Sequence, residues 1–386
     1  MRLLSSIAAP RDPGLTGMVR FATGAGGVSF LSNLPPDSWV MNQQAFLQST
    51  ERQDIPLQSL EYKGLGTGLQ MRVLNVGVVA LIKLYFSLSF KTGTEGTVTA
   101  LPGWPYSMVK RIAFTANGQT AIIGARGTTL RARRQRIFRN PAEYITASPA
   151  PGALALNTTY PVAFILDVPV AHDMYNGIGW ILAQNPSTAL SVEIQFANES
   201  EVFAFTGKGA IGTQTGTVYG ELSTFAVGQV QVGQAQKTLL PDLTVFHGLL
   251  DNTYSFANSG LVQAPLIRTA GQLVNYAFNL NNGGASEISP LALTEIAFKY
   301  GGNRTPRLYN PTVFIVDKNQ QDYNGLVQVG GLTYTYLDFE VDNPTRDLFI
   351  PEALVELSST VTIPATITVN ANAYLLYEEE SLYPAV

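Results

Sequence analysis

Met108-Val109-Lys110-Arg111-Ile112-Ala113-Phe114, then Asn117-Gly118, then Leu130-Arg131-Ala132-Arg133-Arg134-Gln135-Arg136-Ile137-Phe138-Arg139 ahead of Pro141 is the stretch that decides the fold. The hydrophobic run reads as a strand, and Asn-Gly after it is a hairpin signal. In the arginine-rich segment Leu130, Ile137 and Phe138 fall at i, i+7 and i+8, one stripe of a helix. Thr128 or Thr129 can cap its start, and Pro141 forces an end near Asn140. Part of the plan returns later. Leu293-Thr294-Glu295-Ile296-Ala297-Phe298 is followed by Gly301-Gly302 and by a helix start at Asn310-Pro311, with Asn as N-cap and Pro at N1. Val313, Ile315 and Val316 are β-branched and argue for a strand at the same place.

Two further matches keep the same order. Phe86-Ser87-Leu88-Ser89 resembles Phe278-Asn279-Leu280-Asn281, and Leu166-Asp167 recurs as Leu337-Asp338. Ordered matches with drifting spacing are what duplicated units with unequal loops leave behind. Between them lie short alternating runs. Leu84, Phe86, Leu88 and Phe90 alternate with Tyr85, Ser87 and Ser89, and Val192, Ile194 and Phe196 with Ser191, Glu193 and Gln195. Ala365–Tyr377 reads as a late strand, with a short acidic tail, Glu378-Glu379-Glu380, behind it. The expected class is all-β: two tandem eight-stranded jelly rolls, a double jelly roll, with one short helix in each half. The expected division is an N-terminal arm over 1–50, a first jelly roll over 51–235 and a second over 236–386.

Composition narrows the function. Of 386 residues 46% are hydrophobic, so the chain can bury a large core. Only 13% are charged, against about 25% in typical soluble domains. A surface so poor in charge suits burial against neighbouring subunits. A net charge of −4 excludes the whole molecule as an electrostatic nucleic-acid binder, and no direct sequence-specific nucleic-acid binding is expected. Without cysteine there is no disulfide, thiolate catalysis or zinc finger. With His172 and His247 as the only histidines, a histidine-based metal site or acid–base triad is not expected either, and no cofactor is called for. Carboxylates such as Glu193, Glu199, Glu201, Asp338 and Glu340 are scattered rather than paired for glycoside hydrolysis. Gly24–Gly27 and Gly64–Gly68 fit no phosphate-loop pattern. No catalytic residue is predicted. The competing class is a glycan-binding or receptor-binding β-sandwich protein, but Trp39, Trp104 and Trp180 are too dispersed to form an aromatic platform.

The arginine cluster, Arg131, Arg133, Arg134, Arg136 and Arg139, is the one strong charge run. At about 100° per residue, Arg136 and Arg139 point away from the apolar stripe, Arg131 and Arg133 flank it, and Arg134 falls on it. The cluster is read as a subunit-contact surface, with a solvated helix face and a phosphate site as alternatives. On this reading, reversing Arg136 and Arg139 to Glu blocks assembly without unfolding the monomer.

Four stretches carry a family likeness: Leu74-Asn75-Val76-Gly77-Val78-Val79, then Val168-Pro169-Val170-Ala171 leading to Ala183-Gln184-Asn185-Pro186, then Leu190–Asn198, with Asn372–Glu378 as a weaker fourth. In them the chain resembles the double jelly-roll major capsid proteins of tailless, membrane-containing icosahedral phages, the tectivirus type. The resemblance implies a homotrimer of pseudo-sixfold outline, packed beside neighbouring capsomers in a virion shell assembled in the host cytoplasm. Its implied partners are vertex (penton) proteins, minor capsid proteins and an internal lipid membrane. It also implies that the N-terminal arm lies low, placing Arg2, Arg11 and Arg20 near the membrane, although Gly and Pro break the helix-rich arm of the family.

Overall fold

Alternation of large apolar and small polar side chains builds the sheets, and the strand order shows what they make. In the first half the strands are β1 (Arg52–Pro56), β2 (Gly68–Arg72), β3 (Val78–Thr92), β4 (Val109–Ala116), β5 (Ile123–Ala125), β6 (Thr159–Val168), β7 (Leu190–Phe196) and β8 (Ile211–Phe225). In the second they are β9 (Val245–Phe256), β10 (Gly260–Pro265), β11 (Gln272–Asn281), β12 (Glu295–Tyr300), β13 (Arg304–Tyr309), β14 (Leu332–Asp338), β15 (Leu357–Ile363) and β16 (Ala373–Pro384). The computed structural model describes residues 50–384 apart from 117–121, 139–151, 175–176, 185–188, 233–234, 241–242, 244, 266–271, 284–285, 301–303, 324–326 and 340–356, together with 18–20, 39–41 and 46–48. The Asn117-Gly118 and Gly301-Gly302 turns, Arg2, Arg11 and Arg139 fall outside those residues.

The first unit has two sheets in the orders β6-β3-β8-β1 and β5-β4-β7-β2. The second repeats them as β14-β11-β16-β9 and β13-β12-β15-β10. Every strand of the second unit has a counterpart eight places earlier, and each unit is an eight-stranded antiparallel jelly roll. Register agrees as well as order. Leu84 pairs with Leu166 in the first unit where Tyr276 pairs with Leu337 in the second, and Ile112 pairs with Ala125 where Ile296 pairs with Tyr309.

The units are welded through one sheet. Outer strand β5 of the first unit pairs in parallel with outer strand β9 of the second, Ile123 opposite Leu249 and Gly124 opposite Leu250. With Val327–Val329 at one end, this makes a nine-stranded sheet running through both halves. One core lies in the first unit around Phe86, Phe114, Phe164 and Phe196, and reaches across the weld to Ala277, Tyr334, Tyr336 and Leu376. Phe86 and Phe164 stack at 4.7 Å. A second core fills the other unit around Tyr276, Phe298, Ile315 and Val361.

Each unit carries one eleven-residue helix at the same place in its order: α1 (Gly127–Ile137) between β5 and β6, and α2 (Val313–Tyr323) between β13 and β14. A Cβ on Gly127 would stand 2.4 Å from the Tyr106 carbonyl oxygen, so the backbone can turn into α1 there only without a side chain. The β-branched residues of α2 do not make a strand, because Ile315 and Val316 are drawn into the second core on one helical face. The late strand also shifts. It begins at Ala373 rather than Ala365, and Glu378, Glu379 and Glu380 are no tail but the buried interior of β16, between β9 and β11. Upstream, backbone strand Met18–Arg20 pairs with Trp39–Met41, which adds in parallel to Ala235–Leu240.

Candidate functional site

Helix α1 is covered on nearly every side, Leu130 of the expected stripe included. Arg131, Arg133 and Arg136 are buried, while Ile137 and Phe138 of the expected apolar stripe are 44% and 53% exposed. The arginines go inward because acids from distant strands meet them. Arg133 donates from Nε and Nη2 to Glu380 Oε1 at 2.9 and 2.6 Å. Arg136 bonds Glu380 Oε2 and, at 3.1 Å, Asp338 Oδ2, with its guanidinium over the Tyr336 ring. Arg134 forks onto both oxygens of Asp167 at 2.8 Å, and Arg131 lies over the Tyr106 ring. Burying such charges is tolerable only where each is paired and hydrogen-bonded.

The duplication shows here too. In each unit the helix reaches the aspartate of the next strand: Arg134 on α1 meets Asp167 on β6, and Tyr323 on α2 donates to Asp338 on β14 at 2.5 Å. Arg136 then crosses from α1 to that second aspartate, tying the two halves together.

Glu380 is the hub. Burial alone would raise its carboxyl, but Arg133 and Arg136, with hydrogen bonds from both histidines, hold it well below the usual carboxylate range. Two residues away, burial and the charge of Glu380 push Glu378 up to about 8. The two histidines, too few by count to suggest a site, converge on this hub. His172 Nδ1 and His247 Nε2 each stand 3.0 Å from Glu380 Oε1, with the rings 5.5 Å apart. Burial lowers His247 to about 4, against the opposing pull of its hydrogen bond to Glu380. A cleft of about 350 Å³ opens beside this network, floored by Ala80, Leu130 and Ala171 and rimmed by Ile137, Phe138 and His172.

Of the residues expected at the subunit surface, Arg131, Arg133 and Arg136 are thus internal and Arg134 is mostly covered; of the membrane-proximal set, Arg20 is placed only by its backbone. Trp104 and Trp180 are core residues and offer no glycan platform. Sequence reading missed Glu380, His172 and His247 as partners. The recurring Leu-Asp pair was the available signal for Asp167 and Asp338.

Two eight-stranded jelly rolls of one topology, joined in a single chain, make this a double jelly-roll protein, the fold of double jelly-roll major capsid proteins. No protein-family model matches the chain, and no curated protein sequence matches it. Solved structures do. The structure of Sulfolobus Turreted Icosahedral Virus contains a chain that superposes with a TM-score of 0.62 at 15% identity, over 87% of this chain and 91% of that one. The crystal structure of the MCP of the same virus gives 0.59 at 15% identity, over 87% and 97%. VP54 of PBCV-1, fitted into a reconstruction of the virophage Sputnik, gives 0.53 at 9% identity, over 86% and 93%.

Proposed function

We propose that the chain is the major capsid protein of an icosahedral virus, a structural subunit with no reaction of its own. The observation that carries this reading is the repeated β6-β3-β8-β1 and β5-β4-β7-β2 order, matched along nearly the whole length of a viral MCP. Two similar units per chain give a homotrimer six similar walls, the pseudo-hexameric capsomer that tiles a shell. The 13% charged fraction supports the same reading, since extensive lateral contacts between neighbouring capsomers leave little surface to be solvated. The division into an arm over 1–50 and jelly rolls over 51–235 and 236–386 belongs to this proposal. So do vertex and minor capsid proteins as partners, assembly in the host cytoplasm, and an arm whose Arg2, Arg11 and Arg20 face anionic headgroups of an internal membrane. In the α1 region, subunit contact falls to Ile137 and Phe138, with Arg134 and Arg139 beside them, while Arg131, Arg133 and Arg136 act within the chain.

Light scattering on the purified protein across a dilution series tests the capsomer. A mass of three 41.6 kDa chains that persists on dilution is expected. A monomer throughout the series would sink the capsomer and turn attention to glycan-binding screens.

A further inference from the structure

Duplication leaves one sheet face and one helix in opposite states. In the second unit the outward side of β14-β11-β16 is buried at Asn275, Ala277, Glu378 and Glu380, because α1 of the first unit lies on it through Arg133 and Arg136. Matching Tyr276 to Leu84 by register carries these four residues back to Lys83, Tyr85, Tyr219 and Glu221 on β3 and β8. There the face is open. Tyr85 and Tyr219 are 40% and 47% exposed and stack with ring centroids 5.9 Å apart. The helices differ the other way. α1 is buried along nearly all its length, whereas α2 buries Ile315, Val316, Asn319 and Tyr323 and leaves Val313 and Phe314 49% and 60% exposed. At about 100° per residue Phe314, Asp317 and Gln321 share the side opposite that buried stripe, and all three are exposed.

We propose that α2 of one chain docks on the outward face of β6-β3-β8 of a second copy, against the Tyr85–Tyr219 stack, as α1 docks on β14-β11-β16 within the chain. The inference rests on the homotrimer proposed above and names the contact that holds it. Aligning Tyr323 on Asp338 with Arg134 on Asp167 sets Asp322 in the place of Arg133, and Glu221 holds the place of Glu380. Both acids are already ion-paired on their own side, Asp322 with Lys318 at 3.6 Å and Glu221 with Lys83 at 3.0 Å. Neither pair therefore brings an unmatched charge into the contact. Around them Phe314 and Val313 face two tyrosine rings, the aromatic and apolar make-up of an interface core. The difference from the arginine-rich joint has a physical reason. α1 is covered in every folded chain, whereas α2 and the tyrosine face stand in water until copies meet.

The test is hydroxyl-radical footprinting of the unmodified protein, read beside its mass by light scattering. In the trimer Tyr85, Tyr219 and Phe314 are expected to be labelled as slowly as the core residues Tyr276 and Phe298, despite their exposure in the single chain. Tyr219→Glu and Phe314→Glu, one on each side, are each expected to lower the mass from three 41.6 kDa chains to one, with the circular dichroism unchanged. Free labelling of the tyrosine pair in a trimer overturns the contact, as does a trimer that survives either substitution. Because the footprint uses the unmodified chain, it decides the matter even if a variant does not fold. A monomeric parent protein would end the homotrimer and this contact with it, whereas a trimer with these residues open would end the contact alone.

Discussion

Arg136 shows why a local reading of charge went astray. A helical wheel spans a few turns, but the partner that pulls Arg136 inward, Glu380, lies 244 residues away, and no window on the sequence contains both. With that guanidinium removed, Glu380 and Asp338 stay buried and each loses an ion pair. Arg136→Met is therefore expected to destabilise the protein by about 3 kcal/mol or more in urea unfolding. Lys208→Met, which breaks the exposed pair with Glu95, should leave the midpoint unchanged. Charge reversal at Arg136 places a third carboxylate against the first two, so Arg136→Glu is expected to unfold the monomer, where the sequence reading expected the double reversal with Arg139 to spare it. Glu287 makes a second case. Burial raises it to about 7 although Thr333 N–H and Asn279 Nδ2 both donate to its Oε1. A carboxyl raised in the fold favours the folded state most below its unfolded value of 4.5, and that contribution is lost as pH rises through about 7. Glu287→Gln keeps the acceptor oxygen and removes the titration. Its melting temperature should exceed that of the parent at pH 8 by more than at pH 5; an equal difference at both would refute the assignment.

At the scale of elements, the alternating strands were legible because their periodicity is local. β3 and β7 alternate in the structure as they do in the sequence. α1 was legible from its stop at Pro141 and α2 from the start signal Asn310-Pro311, with α2 beginning three residues after Asn310. β16 was not. Its acids sit where a local reading expects solvent, and Glu380 is buried where α1 brings Arg133 and Arg136 to it. The weld between β5 and β9 was equally hidden, since two facing pairs leave no mark in composition. Gly124 is central to it: an added Cβ would lie 3.0 Å from Arg111 Nη2 and 3.2 Å from Leu250 Cδ2. Gly124→Val adds still more bulk, and overpacking of this kind costs about 1–3 kcal/mol. Urea unfolding should show that loss; an unchanged midpoint would mean that the weld carries little of the stability.

For the whole molecule, the duplication was readable from three short matches because all three fall on counterpart strands: β3 with β11, β4 with β12, and β6 with β14. Strand order, which turns a repeat into two jelly rolls, was inferred only as a class, since long-range pairing is not local information. The weld adds a consequence of its own. It joins β5 to β9, and their counterparts β13 and β1 are the outer strands of their own sheets among the described residues. The joint thus has a head and a tail, and each chain keeps one spare copy of either. Head-to-tail contacts close into a ring or run on as a filament according to the rotation at each step. Here that rotation is already set inside a single chain, by the register that puts Ile123 against Leu249. Any neighbour that reused the joint would inherit its angle from the polypeptide itself.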